Sequence, residues 1–198
     1  MREQLCILMA RHVGEVVTLA LAAQMVRELL ETTDASIDPA QFEPARCGRL
    51  TFRVERFRDI VTELHRLHKM HWLETEKFRH GLGLNPNYHY LEGAERRGEM
   101  LQFTARDGGT LAGNIRMYLY QDIHTGQRAA KEDTFYLLPA YRAGRNAVRF
   151  WQYLERCLRC LGVRQITTDS KVSTNVGRLN QFLGYQHVAD QYVKFLEE

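Results

Sequence analysis

Thr134-Phe-Tyr-Leu-Leu-Pro-Ala-Tyr-Arg-Ala-Gly-Arg-Asn-Ala-Val148 is the stretch in which the chain changes its hydrophobic period. Before it, from about Ala129 to Leu138, the residues read as a strand ending at Pro139. After it, Val148, Trp151, Leu154 and Leu158 recur at three- and four-residue steps, which predicts a helix from about Ala147 to Leu161. Gly162 then supplies a C-terminal stop. Between the two lies a polar, glycine-containing turn, Pro139 to Asn146. A turn of this kind opens a helix whose first backbone N–H groups have no intrahelical partner, and the helix dipole favours negative charge there. Ala143, Gly144 and Ala147 are small enough to let an anion approach the backbone, and Arg142 and Arg145 can add charge-assisted bonds.

Working outward, Leu50–Phe57 alternates apolar and polar residues as a half-buried strand does. Arg58 to about Arg79 reads as a helix, with Ile60, Val61, Leu64, Leu67, His68 and Trp72 on one side. A loop containing Gly81, Gly83 and Asn85-Pro86-Asn87 follows, then a short polar helix near Leu91–Arg97. Met100–Arg106 and Thr110–Tyr120 read as two strands joined at Asp107-Gly108-Gly109, where glycine tolerates positive φ. A second turn near His124–Gln127 returns the chain to the strand already described. Beyond Gly162, a short strand at Arg164–Thr168, a helix at Asn175–Leu183 and a last strand at His187–Leu196 complete the order. Ahead of all this, Val13, Val16, Val17, Ala20, Leu21 and Leu29 predict an amphipathic helix from about Gly14 to Glu31. Asp34–Gly48, with Pro39 and Pro44, has the composition of a connector.

With 198 residues the chain suits one α/β domain plus a decoration. Its net charge of +3 and the absence of a basic run argue against nucleic acid as partner. The longest apolar stretch, around Val16–Ala23, is far short of the roughly 20 residues that cross a bilayer, and no signal peptide is evident. A cytoplasmic setting is therefore expected, with Cys6, Cys47, Cys157 and Cys160 as reduced thiols. Cys157 and Cys160 form a C-x-x-C inside a helical pattern without a second pair, so neither zinc nor redox chemistry is expected of them. His65, His68 and His71 step by three residues along a helix of 3.6 per turn and so drift around it. They are expected to line the core or a groove, and no metal site is expected.

The element order, together with the words around Pro139-x-Tyr141-Arg142 and the tail Arg178-Leu-Asn-Gln-Phe-Leu-Gly-Tyr185, resembles the GCN5-related N-acetyltransferase superfamily over roughly Arg49–Phe195. The flavour is similar to members encoded by bacteriophages and prophages. The resemblance implies an α/β (α+β) fold with a mixed, mostly antiparallel central sheet flanked by helices, here with an added N-terminal helix. It divides the chain into an extension at residues 1–48 and an acyltransferase domain at 49–198. The chain departs from the family's turn pattern, Gln/Arg-x-x-Gly-x-Gly/Ala: starting at Arg142 gives Arg142-x-x-Arg145-x-Ala147, with arginine where glycine is usual, and starting one residue earlier puts Gly144 in place but leaves Tyr141 and Asn146 off-pattern.

What the resemblance implies for chemistry is transfer of an acetyl group from acetyl-CoA to a primary amine. The acceptor would be a protein lysine, an N-terminus or a small molecule. The leading helix either packs against its own domain or forms a dimer interface, which makes a homodimer one arrangement. The cofactor would lie along the strand edge at Tyr136, Leu137 and Leu138, with the Leu137 N–H polarising the thioester carbonyl. Its pyrophosphate would sit on Arg142, Ala143, Gly144, Arg145, Asn146 and Ala147. Glu132, ahead of its neighbour Asp133, is the candidate base, since strand alternation turns the two to opposite faces. Where many relatives carry a tyrosine as acid to the leaving thiolate, this chain has Asn180, which can bond the sulfur but supplies no acid proton. Tyr185, Tyr141 or water is left for that task. A second reading is a binding or structural protein that uses the fold without turnover, as a phage-encoded component or host-protein modulator; the irregular turn and Asn180 favour it, whereas the Arg142 turn and Glu132 favour the first.

Overall fold

The computed structural model describes residues 2–32, 34–76, 83–171 and 174–194. Among the described residues six strands form one sheet in chain order: β1 (Ala45–Cys47), β2 (Leu50–Glu55), β3 (Met100–Asp107), β4 (Thr110–Gln121), β5 (Arg128–Leu137) and β6 (Gln165–Thr167). The first five run as an antiparallel meander, because each is joined to the next by a turn or by helices that return the chain alongside. Only β6 pairs in parallel, with β5, after the crossover helix α5 (Asn146–Cys160). The mixed, mostly antiparallel sheet flanked by helices is thus the architecture found.

The two faces of the sheet are covered by different helices. Phe150, Trp151, Tyr153, Leu154 and Leu158 of α5 pack on Phe52, Phe103, Ile115, Met117 and Ala130, with Phe52 stacked on Phe150 at 4.9 Å. On the other face, α3 (Phe57–His71) and α4 (Tyr88–Arg96) bury Phe57, Ile60, Leu64, Leu67 and Leu91 against Met100, Leu111 and Tyr136. The first backbone N–H groups of α3 are capped from outside its own sequence, by the buried carboxylate of Glu95 on α4. Gly113 is required where β4 crosses β5, since a Cβ there would lie 2.4 Å from Leu137 Cδ2 and 2.7 Å from the Tyr136 carbonyl oxygen.

Four sequence expectations are corrected. The N-terminal helix is a hairpin of two, α1 (Arg2–Arg11) and α2 (Leu19–Thr32). Gly14 at φ +90° breaks the helix there, and Thr18 Oγ1 accepts from the Leu21 N–H to start the second one. The connector Asp34–Gly48 carries a short 3₁₀ turn at Pro39–Gln41, the buried Phe42 and strand β1, so it belongs to the sheet edge. The helix read as Arg58–Arg79 closes at His71 and continues as a wider π-helical turn, Trp72–Glu76, while residues 77–79 lie outside the described ones. The expected last strand joins no sheet at residues 187–194, and 195–198 lie outside the described residues. There Val188 and Tyr192 share a strand face with Asp190 and Lys194, so no face is apolar enough to bury. The helix after β6, α6 (Val176–Phe182), lies within its expected bounds.

Candidate functional site

β5 and β6 begin as neighbours and then part. Pairing runs only from Ala129↔Gln165 to Lys131↔Thr167, where β6 ends, while β5 continues to Leu137. The result is a fork whose long arm presents an unpaired edge. The Leu138 N–H donates to Ala112 O at 2.8 Å, which makes Gly113↔Leu137 a non-hydrogen-bonded pair of the antiparallel ladder. The main-chain groups of Leu137 and Phe135 therefore turn away from β4, into the fork, whereas those of Tyr136 face β4. The main-chain groups of Tyr136 and the N–H and carbonyl of Leu138 are thus engaged within the protein. The ladder occupies the first, and the second gives its N–H to Ala112 and its carbonyl to the Tyr141 N–H. Leu137 alone of the three offers an N–H to a ligand.

Glu132 sits at the crotch of the fork, buried to 7 % exposure. It accepts from Thr168 Oγ1 at 3.0 Å and, more loosely, from the Asp169 N–H at 3.4 Å. Burial pushes its pKa up to about 7, against the pull of those two bonds. Asp133 occupies an irregularity in the β4–β5 register and points elsewhere, to Arg116 Nη2 at 2.6 Å and Thr134 Oγ1 at 3.0 Å. Neighbouring carboxylates thus have separate environments, one buried and poised near neutrality, the other held by an arginine.

At the tip of β5 the chain makes a 3₁₀ turn, Pro139–Tyr141, and then exposes Ala143, Gly144 and Arg145 before α5. Gly144 has φ +70°, with nothing within 4 Å of where a Cβ would stand. The backbone N–H groups of residues 143–148 have no acceptor among the described residues. Six donors in succession at a helix start, with no side-chain cap from Arg145, form a cradle open to an anion. Asn146 braces it from within: its Nδ2 donates to Tyr141 O at 3.0 Å, and Cys47 Sγ donates to its Oδ1 at 3.6 Å. Tyr141 is tied in turn by its hydroxyl to Asp107 at 2.9 Å.

Arg142, expected at the pyrophosphate, is engaged elsewhere. Its guanidinium grips Glu74 through two bonds of 2.5 and 2.7 Å, donates Nε to the Leu137 carbonyl at 2.8 Å, and lies over the Tyr136 ring at 5.1 Å. The Tyr136 hydroxyl also donates to Glu74, at 3.0 Å, and the His71 ring lies on Tyr136 at 5.1 Å. Arg142, with the Tyr136 hydroxyl adding to it, holds the Glu74 carboxyl below its ordinary range. This clamp closes the π-helical turn over the fork's long arm. No sequence signal announced Glu74 or Thr168, because both reach the site through the fold alone. Arg145 remains exposed at the turn.

Asn180 is buried, and its Oδ1 has no partner among the described residues. Both tyrosines considered as its substitutes are committed. Tyr141 serves Asp107, and Tyr185 donates to Glu155 at 3.0 Å while packing on Trp151, with burial driving its pKa up. The histidines are packing groups: His65 and His68 lie against Tyr88, and burial holds His68 at a pKa of about 3. Among the described residues no three His, Cys, Asp or Glu side chains could share a metal, and all four cysteines are free thiols. A cavity of about 280 Å³ between α5, β6 and the end of α6 lies away from the fork.

No protein-family model matches the chain, and no curated relative matches it in sequence. Solved structures do match. A ribosomal-protein-alanine N-acetyltransferase from Brucella melitensis biovar Abortus 2308 aligns at TM-score 0.59 and 19% identity, over 75% of this chain and 99% of that one. The aminoglycoside acetyltransferase AAC(6')-Iy, in complex with a CoA-containing bisubstrate analogue, aligns at 0.56 and 16%, over 75% and 98%. A predicted acetyltransferase from Clostridium acetobutylicum, with acetyl-CoA, aligns at 0.56 and 13%, over 74% and 96%. At these identities the likeness concerns the fold, and the fold is that of the GCN5-related N-acetyltransferases.

Proposed function

We propose that the chain transfers an acetyl group from acetyl-CoA to a primary amine, by direct attack while both substrates are bound. The observation that carries this reading is the fork: an unpaired β5 edge leading straight into six partner-free N–H groups at the start of α5. An extended amide-bearing arm ending in a pyrophosphate matches that sequence of donors, and Gly144 leaves the approach open. Arg145 adds a free guanidinium, whereas Arg142 acts as the clamp on Glu74.

Bound there, acetyl-CoA would supply an acyl group activated as a thioester. The outward Leu137 N–H is aimed to donate to the carbonyl oxygen as negative charge gathers on it. Glu132 takes the proton that the attacking amine must lose, directly or through one water. With a pKa of about 7 it is both substantially ionised and basic enough near neutral pH. The Asn180 carboxamide can donate an N–H to the departing sulfur, and water supplies the proton, since Tyr141 and Tyr185 are occupied.

The test is calorimetric titration of acetyl-CoA into the unaltered chain, followed by CoA release measured over protein lysines, peptide N-termini and small amines. Binding that weakens in Arg145→Ala, with release to at least one amine class, agrees with the reading. Binding without turnover on any amine would favour a non-catalytic use of the fold, which Asn180 in the acid position favours. No binding at all would remove both the cofactor and the reaction.

A further inference from the structure

The hairpin of α1 and α2 is built for a partner. Leu5-Cys-Ile-Leu-Met-Ala10 is an unbroken apolar run, and at 3.6 residues per turn six consecutive residues cover every side of α1. A helix that is apolar all round is stable only when it is enclosed. Here α1 packs on α2 and, of those six residues, only Leu8 is buried. The exposed set continues round the turn: Val13 and Val16 are each 83% exposed, Leu19 is 94% exposed, and Val17 and Val26 join them. Helices of 10 and 14 residues are too short to hold by themselves in water.

The chain just after the hairpin is tied to the domain. Asp34, just after α2, accepts from Arg58 Nη1 at 2.9 Å, and the Ala35 N–H donates to Arg96 O at 2.7 Å. Between Leu5 and Val26 eight large apolar residues stand 40–94% exposed, an apolar surface comparable with the roughly 800 Å² that one partner contributes to a standard-size interface. A monomer's largest apolar patch is usually about half that. The charged residues in this stretch, Arg11 and Glu15, are few and opposite in sign, with His12 beside them, so charge selects no foreign partner. Two such hairpins related by a twofold axis would cover each other's apolar residues as a four-helix bundle.

We propose that the α1–α2 hairpin is the dimer interface of this protein, its occupant being the same hairpin of a second copy. It is independent of the fork and of the reaction proposed there. The test uses the full chain at micromolar concentration in sedimentation velocity, beside two variants at exposed positions, Val16→Asp with Val17→Asp, and Leu19→Arg. The expected result is a species of twice the 23.1 kDa chain mass. Either variant raises the dimer dissociation constant by roughly a hundredfold or more, because charge replaces buried apolar area. Helix content and acetyl-CoA binding stay unchanged in both. A monomeric parent chain overturns the proposal, and so does a dimer that both variants leave intact. Flotation of the monomer with phosphatidylcholine and phosphatidylglycerol vesicles would also overturn it, by assigning the apolar tip to a lipid surface.

Discussion

Replacing Glu132 with Gln should change stability and activity in opposite directions, and the size of each effect follows from where the carboxyl sits. Burial raises its pKa from an ordinary 4.5 to about 7. Between those values the folded chain holds a proton that the unfolded chain has released. Stability therefore falls as pH rises through that window, and the full penalty is present above pH 7. A gap from 4.5 to about 7 corresponds to ~3 kcal/mol at most. Glutamine is isosteric, stays neutral, and can still accept from Thr168 Oγ1 through its own Oε1. The variant should match the parent at pH 4.5 and exceed it by about 1–3 kcal/mol at pH 8. In a chain of this length that is a melting-temperature gain of roughly 2–4 °C per kcal/mol.

Turnover should move the other way. Without a base, CoA release should fall by about 10²–10⁴-fold, and the limb that rises through pH 7 in the parent should flatten. Thermal unfolding at pH 5 and pH 8, beside initial rates measured with a thiol reagent across pH 5.5–9, gives both readouts. A stability difference that does not widen with pH would refute the argument that burial sets this ionisation. An unaltered pH–rate limb would refute the assignment of Glu132 as base while leaving the burial argument standing.

Arg145→Ala should weaken acetyl-CoA binding about fivefold or more through loss of one charge-assisted contact, whereas Arg142→Ala should leave that affinity within about twofold and raise KM for the amine; calorimetry and steady-state kinetics separate them. Glu74→Gln should reproduce the Arg142→Ala phenotype at a stability cost of under about 1 kcal/mol, since the pair is two-fifths exposed on each side. Gly113→Ala should destabilise the fold by about 2–3 kcal/mol in urea titration, because its methyl meets Leu137 and the Tyr136 carbonyl with no room to shift. Trp151→Ala, at 0% exposure between Phe135 and Tyr185, should cost about 3–5 kcal/mol by the same assay.

Much of the architecture was legible because it depends on short-range rules. Alternation in Leu50–Phe57 and the glycines after Asp107 set the hairpins, and the three- and four-residue steps from Val148 to Leu158 set α5. Those features fix local conformation through side-chain period and turn sterics, so they survive without knowledge of distant contacts. Strand β1 was hidden because three residues carry no period, and the tail at 187–194 misled because β-prone residues still need a face to bury. The apolar spacing predicts one helix where the structure has the hairpin of α1 and α2, although Gly14 and Thr18 carry the signal that divides it.

From its residues alone this protein determined where an anion could be received: a strand, a polar turn with Gly144, and a helix start follow one another in sequence, and their free N–H groups are a local property of that order. The tertiary structure decided what each side chain does there. Arg142 went to Glu74, 68 residues away, and Glu132 acquired its near-neutral pKa from burial beside Thr168 and Asp169. Charge pairing and desolvation depend on which distant atoms come within a few ångströms, and no one-dimensional pattern carries that information.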